Sequence, residues 1–206
     1  MNYLLKAHSH NPLYHEMQEL SVESFRLFLA GDWDVIFMDF EGSEDLMPGE
    51  WKDFTAWRRI YVGGFYLTYS LWKAGNSVFM CGADTLCLRP TEIFGTTNQM
   101  RMYWGEHGYL NGDVMYFPAE MEQKVWDRGF QEIDSLRTDW GHIQDLYNEM
   151  FRVQEPRPEL DPSMNYAPEI YPNPCPPEEA RIQHFHATKG AEEVLRRMRE
   201  AMSWRR

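Results

Sequence analysis

Three short apolar runs, separated from one another by stretches of helical period, constrain the fold of this chain before composition is considered. The runs are Tyr3-Leu4-Leu5-Lys6-Ala7, Asp34-Val35-Ile36-Phe37-Met38-Asp39 and Ser77-Val78-Phe79-Met80-Cys81, and they read as strands. After the first, a polar cluster His8-Ser9-His10-Asn11 leads into Pro12, which predicts a helix start with Asn11 as cap and proline at the first helical position. Val22, Phe25 and Leu29 then recur at helical spacing before Gly31, and this reads as a second helical stretch. Between the second and third runs, residues 41–56 are acidic and carry Gly42, Pro48 and Gly49, as a surface loop would. From Trp57 the period is helical again, through Ile60, Gly64, Leu67, Leu71 and Ala74 to Gly75. Strands alternating with helices commit a chain to an α/β fold, with a buried sheet covered by helices.

The second half continues in the same manner. Met102-Tyr103-Trp104 and Val114-Met115-Tyr116-Phe117 read as strands around Gly105-Glu106-His107-Gly108 and Asn111-Gly112-Asp113, and residues 119–131 and 142–151 as helices. Residues 156–177 hold eight of the twelve prolines, too many for regular helix, and read as a tethered loop or lid. Ile182-Gln183-His184-Phe185 is a last short strand, and Val194, Leu195, Met198 and Met202 mark a closing helix. At 206 residues, with 43% hydrophobic and 15% aromatic residues, one packed domain is expected. The rings serve a core first, although ring faces also suit sugars.

A net charge of −12 makes the average surface repel nucleic acid and anionic membranes, so contact with either requires a local basic patch. One candidate is 191–206, expected to form a basic C-terminal helix; with Lys189 the segment brings Arg196, Arg197, Arg199, Arg205 and Arg206 against three glutamates. The plainer reading of these cations is complement to a helix dipole. Cys81, Cys87 and Cys175 form no CxxC pair, which argues against a zinc ribbon or disulfide scaffold and fits a reducing, cytoplasmic setting. No run approaches the ~20 apolar residues of a membrane span, and none at the start has the length of a signal peptide.

Four segments in order carry the functional reading. Cys81-Gly82-Ala83-Asp84-Thr85-Leu86-Cys87-Leu88-Arg89-Pro90 resembles the DADTLVLRP strand-loop of glycogenin-type GT-A glycosyltransferases. Asn111-Gly112-Asp113-Val114-Met115-Tyr116-Phe117 is similar to their NSGVMLF strand, Gln144-Asp145-Leu146-Tyr147-Asn148 to their DQDLLN helix start, and Ile182 to Gly190 to their ILHFTGxxKP end. The resemblance runs over residues 77–190 and implies a single GT-A-like, Rossmann-like domain with a mixed central sheet flanked by helices. Within it, 1–90 would be the nucleotide-binding half and 91–190 the acceptor and catalytic half.

By the same resemblance the substrate is a nucleoside-diphosphate sugar, UDP-linked, whose sugar passes with retention to an acceptor hydroxyl. That acceptor is a glycan, a protein, a small molecule or a hydroxylated DNA base as in viral DNA modification. A departing diphosphate gains negative charge as the anomeric bond breaks, and a divalent cation on oxygen ligands neutralises it. Asp84 and His184 match two of the family's three ligands for Mn²⁺ or Mg²⁺. Gly82 stands where the family has the first aspartate of its D-x-D motif, so the site keeps a metal with fewer protein ligands or relies on cationic side chains. Lys189, Arg58 and Arg59 would reach the diphosphate, with His8, Asn11 and Tyr14 beside the nucleotide base. Gln144 and Asp145 match two of the catalytic DQD residues, Ile143 replacing the first, and Asp145 would stabilise an oxocarbenium-like state. Asn111 and Asp113 would hydrogen-bond sugar hydroxyls.

Each residue also has a plainer role. Asp84, Asn111 and Asp113 suit turns, Asp145 a helix start, Tyr14 a helix-face core ring, Lys189 a solvated surface and His184 a satisfied strand end. Two other functions remain open at this level: a non-catalytic nucleotide-sugar-binding relative, and a metal-dependent hydrolase using His8, His10, Asp84, His184 and His186.

Overall fold

The structure is a computed structural model that describes residues 1–7, 11–38, 48–49, 56–93, 101–104, 110–134, 143–153, 160–169, 173–185 and 190–203. Its strands are β1 (Asn2–Ala7), β2 (Trp33–Met38), β3 (Ser77–Cys81), β4 (Thr85–Cys87), β5 (Arg101–Trp104), β6 (Leu110–Phe117) and β7 (Ile182–His184). The helices are α1 (Pro12–Phe28), α2 (Ala56–Lys73), α3 (Gln123–Glu132), α4 (Ile143–Phe151) and α5 (Ala191–Ser203).

A five-stranded sheet runs in the order β2-β1-β3-β6-β5. β1 is parallel to both β2 and β3, whereas β6 is antiparallel to β3 and β5, so the sheet is mixed. Strand alternation divides its side chains between two cores. Leu5, Val78, Met115 and Phe117 face a cluster completed by Val62, Phe65, Trp126, Leu146, Tyr147 and Met150 from α2, α3 and α4. Their neighbours Leu4, Phe79, Val114 and Tyr116 face Phe25 of α1 together with Leu160, Met164 and Ile182. A third cluster joins α1 to α5 through Met17, Leu86, Phe185, Val194, Leu195 and Met198. This is the α/β architecture the strand-helix alternation predicts.

The structure corrects one detail and sharpens two others. Residues 12–28 form one helix rather than two, with the Asn11 side chain accepting from the Leu13 N–H at 3.0 Å. Its buried face includes Gln18, Ser21 and Ser24 beside Met17, Val22 and Phe25, so hydrophobic spacing alone shows only fragments of the period. Of the two readings of the proline-rich segment, the described part has the features of the tethered loop. Leu160, Met164, Asn165, Tyr166 and Ala167 are buried, Tyr166 donates its N–H to the Ile182 carbonyl, and the Arg181 N–H goes to Ser163. In α5 the described last turn carries no basic residue. Its arginines are engaged by carboxylates: Arg196 with Glu193 and Glu200, Arg197 with Glu169, Arg199 with Glu16. Arg205 and Arg206 lie outside the described residues. No described helix is long and apolar enough to cross a membrane.

Candidate functional site

The site builds from the sheet edge where β1 and β3 end and β6 begins, the kind of edge at which open α/β sheets carry ligand chemistry. The chain leaves β3 at Cys81, turns through Gly82-Ala83-Asp84 and re-enters as β4, which pairs antiparallel with β7 so that Thr85 lies opposite His184. The turn is bound on two sides. The Gly82 N–H donates to the Asp113 carbonyl at 2.9 Å, and the Phe185 N–H donates to the Asp84 carbonyl at 2.8 Å.

Beneath the turn sits Lys6, a fully buried residue of β1. Its ammonium donates to Ser21 Oγ at 2.6 Å, Thr85 Oγ1 at 3.0 Å and the Gly82 carbonyl at 3.2 Å, and lies 4.2 Å from the centre of the Phe25 ring. Ser21 Oγ donates in turn to the Thr85 carbonyl, and Ser24 Oγ accepts the Cys87 N–H at 2.9 Å. Burial pulls the Lys6 pKa down from 10.5 to about 8, against the opposing pull of Cys81 and Asp84.

Above the turn, the His184 ring lies between two carboxylates. Nε2 is 3.4 Å from Asp84 Oδ2 and Nδ1 is 3.7 Å from Asp113 Oδ2. Burial disfavours the charged ring, but Asp84 and Asp113 together outweigh it and lift the pKa from 6.5 to about 9. For Asp84, burial acts to raise the pKa; the His184 charge and hydrogen bond, with Lys6 behind, leave it lowered. Asp113 is held by Asn111, whose Nδ2 donates to Asp113 Oδ2 at 2.9 Å and whose Oδ1 accepts the Asp113 N–H at 3.0 Å. That oxygen also accepts from Asn165 Nδ2 at 2.9 Å, which ties the proline-rich segment to the site. Nearby Tyr61 of α2 stays a neutral phenol, its pKa pushed up by burial and by the charges of Asp113 and Asp84.

Asp84, Asn111, Asp113 and His184 are thus brought together from three separate segments. Asn11 is engaged as the α1 cap and Tyr14 is exposed one turn in. Gln144 and exposed Asp145 open α4, whose Leu146, Tyr147 and Met150 pack into the core against β6. Arg59 is partly buried on α2. His8, His10, His186, Lys189 and the Arg58 side chain lie outside the described residues. Lys6, Ser21 and Tyr61 are additions that sequence reasoning missed; the one available signal was a lysine inside an otherwise apolar strand.

A divalent cation meets a half-site here. Among the described residues no three His, Cys, Asp or Glu side chains form a metal-holding group. Asp84 Oδ2 and His184 Nε2 nevertheless stand 3.4 Å apart, and two donors on ~2.1 Å bonds to one cation lie ~3.0–3.4 Å from each other. The spacing matches two ligands of one ion, and it matches equally the hydrogen bond between the charged ring and the carboxylate. At Gly82 a Cβ would come within 2.6 Å of Asp84 Oδ1, so the Asp84 carboxylate occupies the space of a residue-82 side chain.

No protein-family model matches the sequence, and no curated protein does. Solved structures share the fold. The apo glycosyltransferase GlyE of Streptococcus pneumoniae TIGR4 superposes with a TM-score of 0.62 at 10% identity over 98% of this chain, which spans 63% of that protein's length. Mouse xyloside xylosyltransferase 1 gives 0.57 at 13% identity, over 89% of this chain and 97% of its own. The galactosyltransferase LgtC, complexed with donor and acceptor sugar analogues, gives 0.53 at 11% identity, over 97% and 96%. The chain has the GT-A-type α/β fold that these glycosyltransferases share.

Proposed function

We propose that this chain transfers a sugar from a nucleoside-diphosphate sugar, UDP-linked, to an acceptor hydroxyl with retention of anomeric configuration. The observation that carries the proposal is the meeting of Asp84 and His184 at the carboxyl edge of the sheet, within a fold shared with solved glycosyltransferases. Residues 1–90 supply the nucleotide half, with His8, Asn11 and Tyr14 beside the base; 91–190 supply the acceptor half. Asp84 and His184 would hold Mn²⁺ or Mg²⁺, which when bound neutralises charge developing on the departing diphosphate. Arg58, Arg59 and Lys189 add cationic contacts to the same phosphates. Asn111, its amide engaged by Asp113 and Asn165, orients the Asp113 carboxylate toward sugar hydroxyls, Gln144 contacts the sugar, and the Asp145 carboxylate faces the oxocarbenium-like centre as the bond breaks.

The acceptor is a glycan, a protein, a small molecule or a modified base. For a nucleic-acid acceptor the charges of α5 offer little, because its described arginines are already paired with glutamates. Buried Cys81 and Cys87, both unbridged, suit a reducing cytoplasmic setting. A non-catalytic nucleotide-sugar binder is the second reading, favoured by Gly82 and by Ile143 in place of two expected carboxylates.

Thermal unfolding across a panel of nucleotide sugars with and without Mn²⁺, paired with UDP release into water, decides among these. A ligand at about 100 times its dissociation constant adds ~2.7 kcal/mol. Metal-dependent stabilisation with UDP release is the expected result. Stabilisation without turnover in any acceptor screen would favour the binder, and tightly held zinc with no nucleotide response would favour a hydrolase.

A further inference from the structure

Position 6 of β1 is a place for an apolar side chain. Lys6 projects to the same face as Leu4, against the Phe25 ring of α1, and is fully buried. A methionine would fill that space without the cost of burying a charge, so packing alone does not account for a lysine there. What the ammonium has and methionine lacks is three protons, and each is placed: one on Ser21 Oγ of α1, one on the Gly82 carbonyl and one on Thr85 Oγ1. The two hydroxyls pass on their own protons, Ser21 to the Thr85 carbonyl and Thr85 to the Gly82 carbonyl at 2.8 Å. The network grips both ends of the turn at 82–85 and fastens them to α1.

We propose that Lys6 is a positioning residue for Asp84: by holding the two ends of this turn from beneath, it fixes where the Asp84 carboxylate stands to meet a nucleoside-diphosphate sugar. The identity of that ligand rests on the transferase reading; the relation between the ammonium and the turn rests on the geometry alone. The link to the carboxylate is steric. Asp84 Oδ1 lies 2.6 Å from where a residue-82 Cβ would be, so the carboxylate folds back over Gly82 and moves with it. Backbone bonds hold the turn from its other sides, the Gly82 N–H on the Asp113 carbonyl and the Phe185 N–H on the Asp84 carbonyl. Lys6 itself is sealed from any ligand and acts through the turn.

The test uses the full chain. Lys6→Met keeps the bulk and removes the three protons; Thr85→Val removes a hydroxyl of the network at nearly constant shape, and Thr85→Ser restores it. Amide hydrogen exchange is followed at Gly82 and Phe185, which close the turn, and at the interior amides of α2 and α3, with urea unfolding of each variant as the measure of global stability. Losing bonds to a buried ammonium should speed exchange at Gly82 and Phe185 by ~10–100-fold beyond any change in α2 and α3. Thr85→Val should move the same two amides in the same direction, and Thr85→Ser should lie near the parent. A lysine that served stability alone would speed all these amides by a common factor, and that result, or no change, would overturn the inference. UDP titrated with and without Mn²⁺ gives the second reading, with affinity expected to fall ~10-fold or more in Lys6→Met and Thr85→Val and to return in Thr85→Ser. Unaltered UDP affinity in variants whose turn has loosened would also overturn it. A parent that shows the local exchange pattern yet binds UDP under neither condition upholds the hold of Lys6 on the turn while removing the transferase reading. Ser21→Ala takes the place of Lys6→Met in the same comparison if the methionine variant does not fold.

Discussion

The two faces of the sheet are built from different materials. The face under α2, α3 and α4 is a nest of rings: Phe65 lies 5.5 Å from Trp126 and 5.1 Å from Phe130, and Phe117 stacks on Trp126 at 5.5 Å. The face under α1 contains Phe25 and Phe79, but towards the turn at 82–85 it becomes polar, with Lys6, Ser21, Ser24 and Thr85 all buried. Apolar packing is non-directional and tolerates small shifts, whereas a buried ammonium with named acceptors fixes where a loop must lie. One face holds the sheet together and the other aims its edge.

The greatest damage should come from the ring side. Trp126→Ala is expected to cost ~3–5 kcal/mol in urea unfolding, since the side chain is fully buried among rings. If the loss were below ~1 kcal/mol, the ring nest would not be the structural half. Gly129→Ala tests the same face by overfilling: the new Cβ would come within 2.9 Å of Phe65 and 2.8 Å of Met150 Sδ, for an expected ~1–3 kcal/mol.

Lys6→Met probes the polar face through pH. The folded pKa of Lys6, about 8, lies below the 10.5 of an exposed lysine, so the folded state binds fewer protons between those values and stability rises with pH across them. The stability of the metal-free parent relative to Lys6→Met should therefore increase from pH 8 to 10.5. His184 has the opposite sign. Its folded pKa of about 9 exceeds 6.5, so its contribution is complete below pH 6.5 and is lost as pH rises through 9. The parent's advantage over His184→Gln should shrink across that window, and denaturant titrations at several pH values would reveal a wrong sign for either. The smallest effect belongs to the surface: Arg196→Ala breaks exposed pairs with Glu193 and Glu200 and should leave the urea midpoint nearly unchanged.

The same contrast decides what could be read in the sequence. The ring side was legible, because Leu67 and Leu71 recur at helical spacing and Val78–Cys81 of β3 and Val114–Phe117 of β6 are unbroken apolar runs. Asp84 and His184 stood out because each sits in a motif of recognisable order. Ser21 and Ser24 lie on the buried face of α1, where hydroxyls interrupt the hydrophobic period, and so one helix looked like two. Lys6 was hidden for a related reason. A single cation in an apolar strand looks like a polar end until the groups around its ammonium are known. Asp113 comes near His184 only through the packing of β6 and β7, strands of different sheets, which no local pattern encodes.

The ribbon of β4 and β7 joins residues 85–87 to 182–184, segments from early and late in the chain. Closing so long a loop is entropically costly and comes after local structure has formed. On the ribosome, a nascent chain could lay β1, β2 and β3 side by side long before His184 is synthesised, holding a lysine-propped turn with nothing above it. The Asp84–His184 pair would then form only once the late strand has been made, and any polypeptide stalled before residue 182 should lack it however well its first half has folded.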